Sequence, residues 1–560
     1  MSKINVLQRP SRKAHLPRNS FDRGYRMTFN GSAGMLLPTF SAFVEGGSHC
    51  KFNMNNFIRT AAVNTAAFTI MDFHTEFFAV PIRQLMSTWG VFRTRTKDIH
   101  STKFGTPNSR IPALKTNELY SLVGQTTPIY DSLGYPWIDG CARLMDLLNY
   151  GITANSIQPS NKFNQNVDLN PFYLAAYQKV YYDHFRNTSY EANDPKAYNL
   201  DQFINADGTV NSITQDVIEK LGTLRYVDYR KDMFSNVYPS LYYVKEGNLQ
   251  GVNVPTNIIG RGSNPKLVGS NTLYLSDTVS VVTPSQSNTS VNQIIPLQNL
   301  RVAFAIDKLL RLSAYAPQHV VDQFEARFGF RPFAEGLEES IRLGSYKSDI
   351  IIGEVTSTAT TGQGSDGYLG AIGGKGIGSS DYGKTIIFDA KEDCVVLGIS
   401  YMIPRMMYDS IAIDPFNTKF VPEDYIVPEF MDMGLQPLYF KTLRLTHGSG
   451  VTEYDITEGN QIMGYQPRYS EYKLGVDRNH GEFDGQRIFH DYVTHSRTRM
   501  HYYSSTAGLN YTQLKVDPAD LNSIFAEEYD GAEHTDQYFG TIQFAFACVQ
   551  NLSVHGESNL

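Results

Sequence analysis

The clearest alternation in the chain runs through "AAFTIMDFHTEFFAVPIRQLMSTWGVF", residues 66–92. Met71, Phe73, Thr75, Phe77 and Ala79 fall on one side of an extended backbone, and Asp72, His74 and Glu76 on the other. A period of two marks a strand with one buried face. The pattern predicts a long half-buried strand that ends at Pro81, because proline cannot donate to a sheet ladder. Asp72, His74 and Glu76 have the residue types of a metal or acid–base cluster, but their alternation with apolar neighbours makes them the polar face of that strand.

The period changes in "NPFYLAAYQKVYYDHFRN", residues 170–187. Leu174, Tyr177, Tyr181 and Phe185 recur at helical spacing, with Asn170 placed to cap and Pro171 suited to the first turn. Two more helices are predicted further on. "LQNLRVAFAIDKLLRLSAY" sets Val302, Ile306, Leu309 and Leu310 on one side, and "QHVVDQFEARFG" does the same with Val320, Val321, Phe324 and Phe328. Gly329 stands where the second should stop. From Ile350 onward the pattern returns to strands separated by Gly and Pro turns, and no internal repeat is present.

Residues 247–296 differ from their surroundings. Arg261, Lys266 and Asp277 are their only charged residues, amid Asn, Ser, Thr, Gly, Pro and β-branched side chains. This composition predicts an insertion of short strands and turns, too apolar for a simple linker.

One stretch matches a nucleotide-binding pattern. "GSSDYGKT", Gly378 to Thr385, has the spacing of a phosphate loop. A working loop of that kind lies between a buried strand and a helix whose N-terminus meets the phosphates. Here the upstream "GQGSDGYLGAIGGKGIG" reads as a glycine-rich loop, and the downstream "IIFDAKEDCVVLGIS" reads as a β-hairpin turning at "AKED". With no helix to follow, Lys384 is an ordinary loop lysine.

Composition agrees with the β reading. Aromatic residues make up 12% of the 560 positions and charged residues 19%, a balance that suits pleated, half-buried surfaces. The net charge of −7 excludes little. Against it, the first 26 residues carry Lys3, Arg9, Arg12, Lys13, Arg18, Arg23 and Arg26 with one acid, Asp22, while Pro10 and Pro17 discourage a helix. That is a basic, extended arm able to displace counterions from a polyanion. As a solvated terminus it would need no partner at all. Cys50, Cys141, Cys394 and Cys548 are too scattered for a zinc or redox motif, and are expected as buried free thiols. His490, His495 and His501 lack metalloprotease spacing in a stretch that reads as strand, and Glu338–Glu339 and Glu527–Glu528 are commonplace acid pairs. No secretory leader or run of about 18 apolar residues is found. The residues thus predict a β-rich scaffold with a basic arm and large loops, without catalytic, cofactor or metal residues.

Five segments, in order, resemble the major capsid proteins of microviruses. "DFHTEFFAVPIRQLMSTWGVF" resembles the family's strand ending in Phe-Phe-x-Val-Pro-x-Arg before a Trp, and "NPFYLAAYQKVYYDHFRN" its Tyr-rich helix. "NLRVAFAIDKLLRLSAY" with "RFGFRP" and "SDIIIGEVTST" is similar to its central block, and "VVLGISYMIPRMMYDSIAID" and "GYQPRYSEYKLGVDRNHGEF" to its C-terminal strands. The matches run from about Phe68 to Phe483. At "GLEESIRLGS" the chain has Glu338, Glu339 and Ser340 where the family often carries Arg-Pro.

The resemblance implies a mainly β fold, an eight-stranded antiparallel jelly roll with long, partly helical inter-strand insertions. It implies a structural coat protein, not an enzyme, that builds pentamers and then a small T=1 icosahedral shell around a circular single-stranded DNA genome. It also implies a virion location, assembly in the host bacterial cytoplasm, and no membrane insertion. The partners implied are other copies of the chain, the genome, a small basic DNA-binding protein, a minor pilot protein and a host surface receptor. Residues 1–26 are then the basic arm meeting DNA, and 27–560 one jelly-roll domain. Residues 247–296 match the place of the three-fold protrusion in the gokushovirus-like branch, and 298–329 form a helical insertion. Two other classes have definite requirements. A carbohydrate-binding or carbohydrate-active β-sandwich would need an aromatic platform with paired carboxylates, and a nucleotide hydrolase would need Lys384.

Overall fold

The computed structural model describes residues 18–64, 67–94, 110–123, 128–153, 167–205, 210–239, 305, 308–309, 312, 319–330, 338–356, 372–380, 385–409, 412–431, 434–443, 462–483, 488–493, 514–526, 536–552 and 554. The insertion at 247–296 lies outside them, as does most of the helix expected over 297–315.

Fourteen strands are described: β1 (Asn19–Asp22), β2 (Tyr25–Gly31), β3 (Leu37–Val44), β4 (His49–Thr60), β5 (Ile70–Pro81), β6 (Leu114–Lys115), β7 (Asp168–Leu169), β8 (Ile341–Thr356), β9 (Ile372–Ser380), β10 (Ile386–Asp389), β11 (Cys394–Pro404), β12 (Leu435–Tyr439), β13 (Ile462–Pro467) and β14 (Tyr538–Gln550). Ten of them join one antiparallel sheet, whose path of eight runs β1-β14-β4-β9-β8-β5-β11-β3, with β2 added on β14 and β10 on β4. The sheet curls on itself into two facing layers. One layer is β1 and β2 on β14, then β4 with β9 and β10; the other is β3-β11-β5-β8. This is the jelly-roll arrangement, with helical insertions in its connections.

Aromatic residues fill the space between the layers. Phe40 of β3 and Phe77 of β5 meet Phe52 of β4 and Phe544 of β14, with ring centroids 5.1–6.2 Å apart. The predicted alternation in β5 holds: Met71, Phe73, Thr75, Phe77 and Ala79 are buried. Its other face is not simply polar, since Phe78 and Val80 are buried too. The aromatic helix, Phe172–Val180 continued as a π-turn through Phe185, supplies the cover. Phe185 and His184 pack on Phe78 at 5.7 and 4.7 Å, and Tyr177 donates to the Leu36 carbonyl at 2.9 Å. The Asn170 side chain accepts from the Phe172 N–H at 3.0 Å, as its position predicted.

Two local expectations are corrected. The described part of the glycine-rich stretch, Ile372 to Gly378, belongs to strand β9, paired with β8 and β4, and is not a loop. Glycine is required there by close approach: a Cβ on Gly376 would come within 2.6 Å of Thr60 Cγ2 and 2.9 Å of Ile350 Cγ2. The two strands that follow do not form a hairpin with each other. β10 pairs with β4 in one layer, while β11 pairs with β3 and β5 in the other, so the intervening turn crosses between layers.

Candidate functional site

Among the described residues, the groups with the chemistry of a reaction centre are tied into structure. Strand β5 is followed by helix, but "GSSDYGKT" is not: β9 runs into it and β10 leaves it, so no helix N-terminus follows to hold phosphates. Lys384 itself lies outside the described residues. Asp72 is buried and holds Arg405 at 2.8 Å and Lys347 at 3.4 Å. Burial would raise its carboxyl, but hydrogen bonds and charge from Arg405, with Lys347, keep it below the ordinary value. Glu76 accepts from Arg342 at 2.7 Å and from the Tyr401 hydroxyl at 2.6 Å. His74 stacks on Tyr401 at 5.2 Å, and burial pushes its pKa down although Asp72 and Glu76 oppose this. These three residues therefore join β5 to its neighbours β8 and β11.

Among the described residues, no group of three His, Cys, Asp or Glu side chains has metal-binding geometry. All four cysteines are free and buried, with Cys50 and Cys548 facing each other across β4 and β14, sulfurs 2.8 Å apart. His490 lies in a 3-10 turn, His490–Tyr492, where a strand was expected; His495, His501 and Glu527–Glu528 lie outside the described residues. Glu338 and Glu339 serve the aromatic helix instead of a cleft: the Glu338 carbonyl accepts from Lys179 at 2.8 Å, and Glu339 lies 3.5 Å from His184. Among the described residues, no helix is long and apolar enough to cross a membrane.

The arm residues divide into two groups. Lys3, Arg9, Arg12 and Lys13 lie outside the described residues. Arg18, Arg23 and Arg26 are at or within the sheet, because the chain is already strand from Asn19. Arg18 donates to the Gly47 carbonyl at 2.7 Å, and Arg23 donates to the Phe43 carbonyl at 3.0 Å while lying 5.4 Å from the Phe546 ring. Arg26 stands exposed on β2, opposite Gln543.

What sequence reasoning missed is how the insertions present apolar surface. Residues 414–431 form a loop of three 3-10 turns, each opened by a proline: Pro415, Pro422 and Pro428. Lys419 anchors it from below. Its ammonium pairs with Glu471 at 2.6 Å, donates to the Asp424 carbonyl at 2.8 Å, and lies 4.5 Å from the Tyr472 ring and 4.9 Å from the Phe416 ring. Burial would raise the Glu471 carboxyl, but Lys419 and Gln436 hold it low. On this frame Phe420 is 86% exposed and Met431 56%, with Val421, Tyr425 and Ile426 also exposed. The Val320–Phe328 helix behaves similarly. It ends at Gly329 in the left-handed conformation, as expected, but of its apolar stripe Val321 alone is buried, while Val320, Phe324 and Phe328 are exposed. Large apolar side chains held outward by a rigid frame are the mark of a protein interface. Proline-fixed turns also reduce the ordering cost of making it.

Residues 11–136 match the family model described as Capsid protein (F protein). The matched stretch contains β1 to β5 and the "DFHTEFFAVPIRQLMSTWGVF" segment. No curated protein matches the chain. The match covers residues 11–136 of 560, and together with the mainly β jelly-roll fold it supports a structural capsid protein. The match further supports a major capsid protein of the microvirus type.

Proposed function

We propose that this chain is the major coat protein of a small bacteriophage and that copies of it assemble, through pentamers, into a T=1 icosahedral shell enclosing a circular single-stranded DNA genome. The observation that carries the reading is the pairing of a capsid-type jelly roll with apolar side chains fixed outward on its insertions, Phe420 and Met431 above all. A free monomer gains nothing from that exposure, whereas a closed shell buries it many times over. The capsid family match over 11–136 supports the same reading. The role is structural, with no reaction of its own.

In this reading the arm expected over 1–26 lines the interior only ahead of β1, the single jelly-roll domain begins with β1 at Asn19 instead of at 27 and runs to 560, 247–296 make a surface protrusion of the gokushovirus-like kind at the three-fold axes, and 298–329 make a helical insertion. The other partners are a small basic DNA-binding protein, a minor pilot protein and a host receptor. Electron microscopy of the purified full-length protein tests the proposal: closed shells or pentamers are expected, and a stable monomer at every concentration would overturn it.

Deleting residues 1–17 gives a second expected outcome. The cut removes Lys3, Arg9, Arg12 and Lys13 and stops short of β1. Four lost phosphate contacts reduce the salt dependence of single-strand binding by about 2.8 logarithmic units per tenfold change in salt. Shells should still form but carry less DNA, read as a lower ratio of 260 to 280 nm absorbance. Unchanged DNA content would show the arm to be a passive terminus.

A further inference from the structure

The strand register places one row of side chains on the outward face of the sheet. Phe539 of β14 lies opposite Arg59 of β4, Arg59 opposite Ile377 of β9, Ile377 opposite Ile351 of β8, and Ile351 opposite Ile70 of β5. Residues directly opposite one another share a face, so these five form a continuous stripe. Four inter-strand steps make it about 19 Å long. Its four apolar members are all exposed, and Phe57, two positions from Arg59 on the same face, is exposed as well.

Cations are laid against both rings. The Arg59 guanidinium lies 4.9 Å from the Phe57 ring, and the Lys375 ammonium 5.7 Å from the Phe539 ring. Neither cation pairs with a carboxylate among the described residues. Strands β2, β4, β9 and β14 carry Arg26, Lys51, Arg59 and Lys375 and contain no Asp or Glu at all. That is a pronounced local bias in a chain with 56 acids and 49 bases. It ends at β8, where Asp349 appears on the outward side with Lys347 and Arg405 at 3.3 and 3.6 Å, and at the flanking β1 and β10, which carry Asp22 and the Asp389 that meets His49 at 2.6 Å.

We propose that this stripe is a binding platform for single-stranded DNA, with Phe57 and Phe539 stacking on bases and Arg59 and Lys375 meeting phosphates. The proposal rests on the coat-protein reading and names where the genome would touch the folded domain. Exposed rings flanked by unpaired cations suit a flexible polyanion whose monomers each offer a flat π-face. A second copy of the chain is the poorer occupant. Its surface would have to supply acids to match four strands that have none, and apolar cover alone would leave the cations desolvated.

The test uses the unassembled full-length chain and fluorescein-labelled oligothymidylate, followed by anisotropy across a range of salt. Phe57→Ala with Phe539→Ala should weaken binding by at least about fivefold per ring, with the salt dependence unchanged. Phe57→Tyr with Phe539→Tyr keeps the π-faces and should restore wild-type affinity. Arg59→Gln with Lys375→Gln should lower the salt slope by about 1.4. Because all four side chains are on the surface, denaturation midpoints should stay at the wild-type value. Wild-type oligothymidylate affinity in both the alanine and glutamine variants would overturn the platform. So would alanine variants that bind DNA normally but no longer form shells, since the stripe would then be a contact between copies. If the rings govern DNA affinity while the wild type never forms shells, the platform stands and the coat-protein reading falls.

Discussion

Phe40→Ala is expected to destabilise the subunit by about 3–5 kcal/mol, the usual cost of emptying a buried aromatic site. Phe40 is where the two layers of the jelly roll meet. Its ring lies 5.1–5.8 Å from the rings of Tyr25, Phe52, Phe77, Phe544 and Phe546, drawn from both layers. The backbone opposite is shaped to it. A Cβ at Gly398 of β11 would come within 2.8 Å of Phe40 Cβ and 3.0 Å of Phe77 Cε1, so the strand closes on the ring with no side chain between. Surroundings held by five neighbouring strands cannot collapse into the space left by alanine, which puts the cost at the upper end of the range. Phe40→Leu fills more of the volume and should cost markedly less. Urea denaturation of the unassembled protein measures both. An alanine variant within 1 kcal/mol of wild type, a threshold set by ordinary surface substitutions, would mean the layers do not meet at this ring.

The parts of this fold that depend on local pattern could be read from the sequence. The β5 alternation and the Leu174–Tyr177–Tyr181 stripe each repeat at the period of their own backbone, so each announces which side is buried without reference to the rest of the chain. Strand β9 could not be read this way. Its glycines look like loop residues, and only the approach of Thr60 and Ile350 makes them necessary. The Val320–Phe328 stripe was legible as helix but not as exposed surface, because periodicity marks a face that wants cover and does not say which chain provides it. The jelly-roll topology came from resemblance to a family rather than from any single segment.

The same limit applies to the candidate sites. Asp72, His74 and Glu76 were correctly placed on one face, yet Arg405 lies 333 residues away from Asp72 in sequence and cannot be paired with it in advance. The Phe539-to-Ile70 stripe needs four separate strand registers, each invisible in a single sequence, before its members share a surface. A signal was nevertheless available: the absence of acids from "HCKFNMNNFIRT" and "YFGTIQFAFACVQ", in a chain that is acidic overall, is a property of the sequence alone.

Buried charge was the least legible feature, and it carries the second large effect. Arg143, on the Trp137–Leu147 helix, reaches Asp536 just ahead of β14 with two hydrogen bonds of 2.7 and 3.0 Å, and donates to the Asn30 carbonyl of β2 at 3.1 Å. Both partners are almost fully buried, with side chains 9% and 6% exposed. This ion pair fastens a helical insertion to the layer that bears the stripe. Arg143→Ala should cost about 3–5 kcal/mol, because it leaves a buried carboxylate without its cation. The loss should depend on pH in a defined direction. Burial raises the Asp536 carboxyl above its ordinary 3.8, and Arg143 is the main group opposing that rise. Removing Arg143 raises it further. A carboxyl whose pKa is higher in the folded than in the unfolded state favours folding when protonated, and loses that advantage as pH climbs through its folded value. The deficit of Arg143→Ala should therefore be largest near pH 7 and shrink as pH falls towards the unfolded value. Arg143→Met combined with Asp536→Asn removes both charges, so it should recover much of the loss at pH 7 and show less of this pH dependence. A deficit in Arg143→Ala that stayed constant from pH 7 to pH 5 would assign it to lost packing of the arginine stem instead of to the stranded charge.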